Sequence, residues 1–228
     1  MSRVTERARG CLLEAVETLV LTLIIFLVIQ NFVAQPYQVE QMSMENTLLP
    51  HQYVLVDKLT PRFDPYKRGD IVVFMPPGAA PGSTPYIKRV IGLPGETVDL
   101  RNGHVSINGQ EISEPYVYPG QVTEPIGGQD HWVVPPNMLF VMGDHREESS
   151  DSRVFGPVPI SSVIGRAWLR YWPISTFEIL ATPTYPDLSP LPLPSSLPSG
   201  ARAEGPPAAD SVPAAPAAGR SAAFARAA

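Results

Sequence analysis

Apolar and polar residues alternate in two distinct ways along this chain. From Val16 to Ala34 the sequence is apolar on every face of a helix, with Leu12, Leu13 and Ala15 extending the run toward the N-terminus. An amphipathic core helix would show a polar stripe, and none is present. A helix across a bilayer needs ~20 mostly apolar residues, and this run is about that long. A cleaved leader is a poorer reading: its apolar region is usually ~7–15 residues, and Phe32-Val33-Ala34-Gln35 is a weak small-residue cleavage site. The pattern predicts one uncleaved N-terminal transmembrane helix over residues 11–35, with Glu14 and Glu17 near the interface.

Beyond residue 36 the pattern shortens and changes period. Strand-like runs occur at Tyr37–Met42, Tyr53–Lys58, Asp70–Met75, Tyr86–Ile91, Thr97–Leu100, Val105–Ile107, Leu139–Gly143 and Val163–Tyr171. They are rich in Val, Ile, Tyr and Phe and bounded by Gly, Pro and Asp. Asn102-Gly103 and Asn108-Gly109 are hairpin-turn signals. No long 3.6-period segment follows the first helix. The expected fold is therefore mainly β, with coiled antiparallel sheets. Residues 98–136 hold hairpin turns, several prolines and Gly127-Gly128, and read as a small β subdomain inserted into a body formed by 36–97 and 137–180. Ten of the 27 prolines follow residue 182, among Ala, Ser and Gly. Such a composition cannot bury enough apolar area to offset its ordering entropy, so 181–228 is expected to be a disordered tail.

Charge adds orientation and removes whole classes of function. Arg3, Arg7 and Arg9 precede the apolar run, which places residues 1–10 in the cytoplasm and the body on the extracytoplasmic side of the cell membrane. The lipid bilayer is thus one expected partner. Net charge is −5, from 17 basic and 22 acidic residues, and no basic stripe interleaved with aromatics appears, so nucleic acid is not expected as a partner. The lone Cys11 excludes an intrachain disulfide. His51, His104, His131 and His145 lack metal-ligand spacing, so no metal or other cofactor is expected.

Candidate chemistry lies just past the apolar run. Ser43 and Lys88 are a potential nucleophile and base, because a serine hydroxyl needs an adjacent base and a Ser-Lys pair is one known variant. Free lysine has a pKa of ~10.4, so acting as a base near neutrality needs a downward shift of ~3 units. Burial supplies up to ~3–5 units. Lys88 sits among Ile87, Val90 and Ile91, and alternation turns Arg89 to the opposite face. Read alone, Ser43 is a loop serine at a strand end and Lys88 an edge-strand lysine that deters aggregation. Gly143–Arg153 is dense in polar groups between two apolar stretches, which suits a hydrogen-bonded scaffold.

Four boxes in order give these residues a context. They are Gln41-Met42-Ser43-Met44-Glu45-Asn46-Thr47-Leu48, then Arg68-Gly69-Asp70-Ile71-Val72-Val73-Phe74, then Tyr86 to Val98 with Lys88, and Gly143 to Gly156. Together they resemble the bacterial type I signal peptidases. The resemblance implies an all-β membrane-bound serine endopeptidase that removes signal peptides from exported preproteins. It implies Ser43 as nucleophile, Lys88 as base and Ser149 as the hydroxyl that orients the amine. The oxyanion would be held by the Ser43 N–H with Gln41. Tyr37, Val39, Met44, Tyr86 and Ile87 would line shallow pockets for small residues at −1 and −3 of the preprotein. Arg89 with Asp144, Asp151 with Arg153, and Arg146 would be structural groups beside the site.

Four positions depart from the family pattern. Gln41 stands where relatives carry Ser or Gly, Met42 replaces a glycine, Asn46 a proline and His145 an asparagine. Losing one oxyanion donor costs ~10²–10³ in rate. Two other functions therefore stay open: a catalytically weak or silent peptide-binding homologue, and a specialised Ser-Lys peptidase for pilin-like or conjugation substrates.

Overall fold

The computed structural model describes residues 2–28, 30, 33–186 and 188. A helix, α1, spans Ser2–Val28. Strands follow at Ala34–Gln38 (β1), Tyr53–Asp57 (β2), Ile71–Phe74 (β3), Tyr86–Gly92 (β4), Thr97–Arg101 (β5), His104–Ile107 (β6), Gln110–Glu111 (β7), His131–Val133 (β8), Met138–Met142 (β9), Val158–Pro159 (β10), Val163–Trp172 (β11) and Glu178–Ile179 (β12). A single helical turn, α2, covers Ser152–Phe155.

Two antiparallel sheets result. The larger runs β1-β2-β11-β3-β4-β9-β10, with β12 added to β11. The smaller runs β7-β6-β5-β8 and occupies residues 97–133. Register shifts interrupt β11 against β2 and β3, and β4 between Val90 and Gly92. Such bulges add local twist, which curls the large sheet. The hairpin signals act as expected: Asn102 and Asn108 adopt left-handed φ of 52° and 53° in the turns before β6 and β7.

Three apolar clusters stabilise this arrangement. Val39, Met44, Leu48, Val54 and Ile71 form one on the large sheet. Val72, Phe74, Val90, Leu139 and Val141 form a second on its other side. The third joins the sheets, packing Ile91 and Phe140 against Val98, Ile107 and Trp132. Strand β4 passes among all three, so the pair Lys88-Arg89 is set in the interior at the junction.

The strand expected at Tyr37–Met42 is displaced. It begins at Ala34 and ends at Gln38, and Met42–Met44 forms a 3-10 turn instead. Met44 is the reason: it is fully buried against Val39 and Leu48 in one core cluster, and an extended edge strand would not point it inward. Strands β7, β8, β10 and β12 were not legible, because two or three residues carry no alternation. The tail boundary also moves. Thr182 and Tyr185 make side-chain contacts with the body, so 181–186 and 188 belong to the packed structure. The remainder of the expected tail lies outside the described residues.

Helix α1 presents Val16 and Leu19–Val28, with its intervening threonine, as exposed. Among the described residues no helix is long and apolar enough to cross a membrane. Part of the expected 11–35 span, residues 11–13, 29, 31 and 32, lies outside the described side chains.

Candidate active site

Ser43 is placed by the 3-10 turn Met42–Met44, in which Glu45 N–H donates to the Met42 carbonyl at 2.9 Å. Two strips fix that turn. His145 N–H donates to the Ser43 carbonyl at 3.1 Å. Gly143 lies so close that a Cβ there would collide with the Ser43 carbonyl oxygen and with Ser149. Only glycine admits this approach. Ser43 is 2% exposed and Lys88 1%.

Lys88 reaches Ser43 from the adjoining strand. Its Nζ donates to Ser43 Oγ at 2.6 Å. In the register, Lys88 pairs with Val72 and Arg89 with Ile71. Lys88 therefore shares a face with Val72, Tyr86 and Val90, while Arg89 shares the other with Ile71 and Ile87. The Lys88 ammonium lies 5.3 Å from the centre of the Tyr86 ring. Burial lowers the pKa of Lys88 to about 8; the Asp151 and Asp144 carboxylates pull it back up, and Arg153 adds a smaller lowering. Desolvation outweighs the distant carboxylates because it acts on the ion itself. A neutral amine at this spacing accepts the hydroxyl proton, which a protonated one cannot.

Arg89, one residue on, is treated oppositely. Its Nε and Nη2 meet Asp144 Oδ1 and Oδ2 at 2.8 and 2.6 Å, and Nη1 donates to the Gly69 carbonyl at 2.8 Å. Burial alone would lower its pKa, but the Asp144 charge and hydrogen bonds win, and the net shift is upward. Thr47 Oγ1 donates to Asp144 Oδ2 at 2.5 Å, which ties the segment after Ser43 to this pair. The Tyr116 ring covers the guanidinium at 4.1 Å.

The polar segment 143–153 is a closed network. Asp151 accepts from Gly143 N–H at 3.1 Å, from the Ser149 hydroxyl at 2.7 Å and from Arg153 Nη2 at 2.9 Å. Arg146 donates to the Gly143 carbonyl at 3.0 Å and to Glu114 at 2.6 Å. The expected contact of Ser149 with Lys88 is not among these bonds. The Ser149 O–H instead donates to the Asp151 carboxylate two residues away, which leaves the hydroxyl oxygen as an acceptor.

The expected substrate wall divides. Tyr37, Val39 and Ile87 line one cleft with Gln38, Gln41 and Thr84. Met44 lies in the core instead, fully buried, and Tyr86 packs against Phe74 and Phe155 on another cluster. The exposed methionine beside the nucleophile is Met42, at 50%. Gln41 is exposed, at the cleft rim, and its side chain makes no capping bond to the turn. Asn46 has φ 86°, a value closed to proline, and its amide donates to the Tyr116 and Val117 carbonyls at 3.0 and 3.3 Å. His145 stacks on Tyr118 at 4.4 Å and approaches Glu45 to 3.2 Å. Sequence reading missed Thr47, Glu114 and Tyr116. Their partners are far apart in the chain, and Glu114 and Tyr116 lie in an irregular stretch without periodicity. Among the described residues, no cluster of three or more His, Cys, Asp or Glu has the arrangement of a metal site.

A serine hydroxyl beside a base is what nucleophilic peptide cleavage needs, and comparison with known proteins supplies the class. A family model described as "Signal peptidase, peptidase S26" matches residues 12–172. The signal peptidase I of Leptolyngbya laminosa is 38% identical, over 78% of this chain and 88% of its own length. The signal peptidase I P of Bacillus subtilis subsp. natto is 39% identical over 64% of this chain and 81% of its own. A solved signal peptidase I from Enterococcus faecalis V583 is 36% identical and covers 44% of this chain, with a TM-score of 0.37. The chain belongs to the signal peptidase family, peptidase S26, as a type I bacterial member and a serine peptidase hydrolase.

Proposed function

We propose that this chain is a membrane-anchored endopeptidase that removes signal peptides from exported preproteins, with Ser43 as nucleophile and Lys88 as general base. The 2.6 Å contact between a buried amine and a buried hydroxyl carries this reading. Neutral Lys88 accepts the proton as Ser43 Oγ attacks the scissile carbonyl. The resulting lysinium returns the proton to the leaving amine, and an acyl-enzyme forms. Water, deprotonated by the same amine, releases the product. At a pKa of about 8 roughly a tenth of the amine is neutral at pH 7. A preprotein docked over the cleft excludes water and shifts that balance further toward the neutral form.

The remaining roles follow from position. The Ser149 oxygen is placed to accept from the Lys88 amine while its own O–H keeps donating to Asp151. The cleft of Tyr37, Val39 and Ile87 takes the small side chains at −1 and −3. The Ser43 N–H holds the oxyanion, and Gln41 is the side chain at the rim able to assist. The large sheet forms the catalytic domain, residues 36–97 and 137–180, and residues 98–136 form the inserted one. The exposed apolar side chains of α1 and the arginines before them support a single-pass anchor with a cytoplasmic N-terminus, the body facing the outer side.

The test is cleavage of an Ala-x-Ala preprotein by the full chain in detergent. Ser43→Ala and Lys88→Ala each abolish cleavage while leaving the circular dichroism spectrum unchanged. Full activity in either variant removes the dyad.

A further inference from the structure

Past Trp172, where the family match ends, the chain stays on the molecule. Residues 180–186 and 188 reach both sheets. Leu180 packs against the core cluster of Val39 and Met44, while Tyr185 and Leu188 pack against the cluster of Val98 and Trp132. Thr182 Oγ1 donates to Asp70 Oδ1 at 2.7 Å. Pro183 sits on Gly69, whose φ is 88° and where a Cβ would come 2.7 Å from the proline ring. The Arg68 guanidinium lies 5.7 Å from the centre of the Tyr185 ring.

One contact leads from this strap to the reacting groups. The Tyr185 and Tyr116 hydroxyls are 3.0 Å apart. Tyr116 roofs Arg89 at 4.1 Å, Arg89 holds both oxygens of Asp144, and Asp144 accepts from Thr47 at 2.5 Å, in the segment that follows Ser43. We propose that residues 180–186 and 188 are a working part of the peptidase, and that Tyr185 is a positioning residue for the Ser43 turn, acting through Tyr116 and Arg89 on Asp144. This rests on the Ser43–Lys88 reading given above.

The physical case is exclusion of water. A bidentate pair is strong only while it is dry and its guanidinium cannot tilt away. The groups that face Lys88 are the Ser43 hydroxyl, the Tyr86 ring, and Asp144, Asp151 and Arg153 of the polar segment. Of these, Asp144 is the one whose charge the strap-covered Arg89 neutralises. A loosened strap lets Arg89 move off Asp144 and lets water toward the amine. Both changes favour the protonated amine, so the acid limb of activity moves to higher pH.

The experiment uses the full chain in detergent, with Tyr185→Ala and Tyr185→Phe measured for kcat and KM across the acid limb. Tyr185→Ala is expected to lower kcat roughly tenfold, short of the ~10² that a 1 Å misplacement costs, with KM unchanged and the limb raised. Tyr185→Phe, which loses one hydroxyl and keeps the ring, shifts in the same direction by less. A purely structural role would lower the yield or melting temperature and leave limb and kcat alone. If Tyr185→Ala folds and keeps the wild-type limb and kcat, the proposal is overturned. If Tyr185→Ala does not fold, an unchanged limb and kcat in Tyr185→Phe overturns it equally. Wild type and Ser43→Ala are measured alongside: activity surviving in Ser43→Ala removes the dyad, a result separate from any effect at Tyr185.

Discussion

Lys88 and Arg89 are neighbours on one strand, both nearly inaccessible to water, and the molecule treats them oppositely. Arg89 receives a carboxylate on both arms of its fork, a backbone carbonyl and an aromatic roof. Lys88 receives a hydroxyl and a ring face, and its carboxylates stay at a distance. The result is one cation held more firmly charged and one whose proton is held far more loosely than on a free lysine. Burial is common to both, so burial alone does not decide the charge. The presence or absence of a contacting counter-ion does. Alternation along β4 makes the contrast achievable, since consecutive side chains enter different surroundings.

The sharpest way to break this comparison is to replace each cation by methionine. Lys88→Met is expected to cut kcat/KM by at least ~10³, within the span a general base contributes. It should also stabilise the fold. A pKa drawn down from 10.5 to about 8 corresponds to a penalty of about 3 kcal/mol on the buried cation, at ~1.36 per unit, and methionine carries none of it. Arg89→Met should do the reverse to stability, losing ~3–5 kcal/mol, because Asp144 is left charged and unpaired in the interior. Denaturant titration of both variants checks the pair of signs. A destabilised Lys88→Met would show that the amine is held by contacts stronger than its desolvation.

The second test titrates the lysine instead of removing it. Below about 8 the amine is protonated in the folded protein, so kcat/KM should fall about tenfold per pH unit, some 10² between pH 8 and 6, and level off above. Stability supplies an independent readout. Below the folded value both folded and unfolded chains carry the proton, and the penalty is full. From about 8 to 10.5 only the unfolded chain keeps it, so folding stability contributed by this group rises with pH. Arg89, whose pKa moves upward, adds no dependence in that window. A flat limb through this range in Lys88→Met, against a slope in wild type, isolates the group.

The same contrast explains what was legible beforehand. The burial of Lys88 could be read from its apolar neighbours, because desolvation follows local sequence, but its role as base came only with the ordered boxes. The chemistry-bearing positions Ser43, Lys88 and Asp144 sit in ordered boxes, and short β runs with Asn-Gly turns gave the mainly-β class. The hydroxyl contact expected of Ser149 was not legible as it stands, since its O–H donates to Asp151, a competitor only two residues away. Glu114, the partner of Arg146, and Tyr116, the roof of Arg89, come from an irregular stretch with no period to read. Met44 illustrates a subtler miss: an apolar residue beside a site serves a core as readily as a cleft, and sequence alone does not separate the two. Residues 181–186 and 188 read as tail because of their prolines, yet Pro183 on Gly69 is a packing contact.

The smallest expected effect lies on the Arg89 side, at Asn46. Its φ of 86° costs an L-residue ~1–2 kcal/mol, and the amide offsets this by bonding the Tyr116 and Val117 carbonyls. Glycine removes the strain and the bonds together. Asn46→Gly should therefore change stability by no more than about 1 kcal/mol, the net worth of one such bond. Its catalytic effect should be small as well, because Thr47 still bonds Asp144 through a backbone that glycine leaves in place. Thermal melting and kcat at one pH suffice to measure both. A loss of kcat without a loss of stability would mean that the Asn46 amide, rather than the Arg89–Asp144 pair, holds the turn on which Ser43 sits.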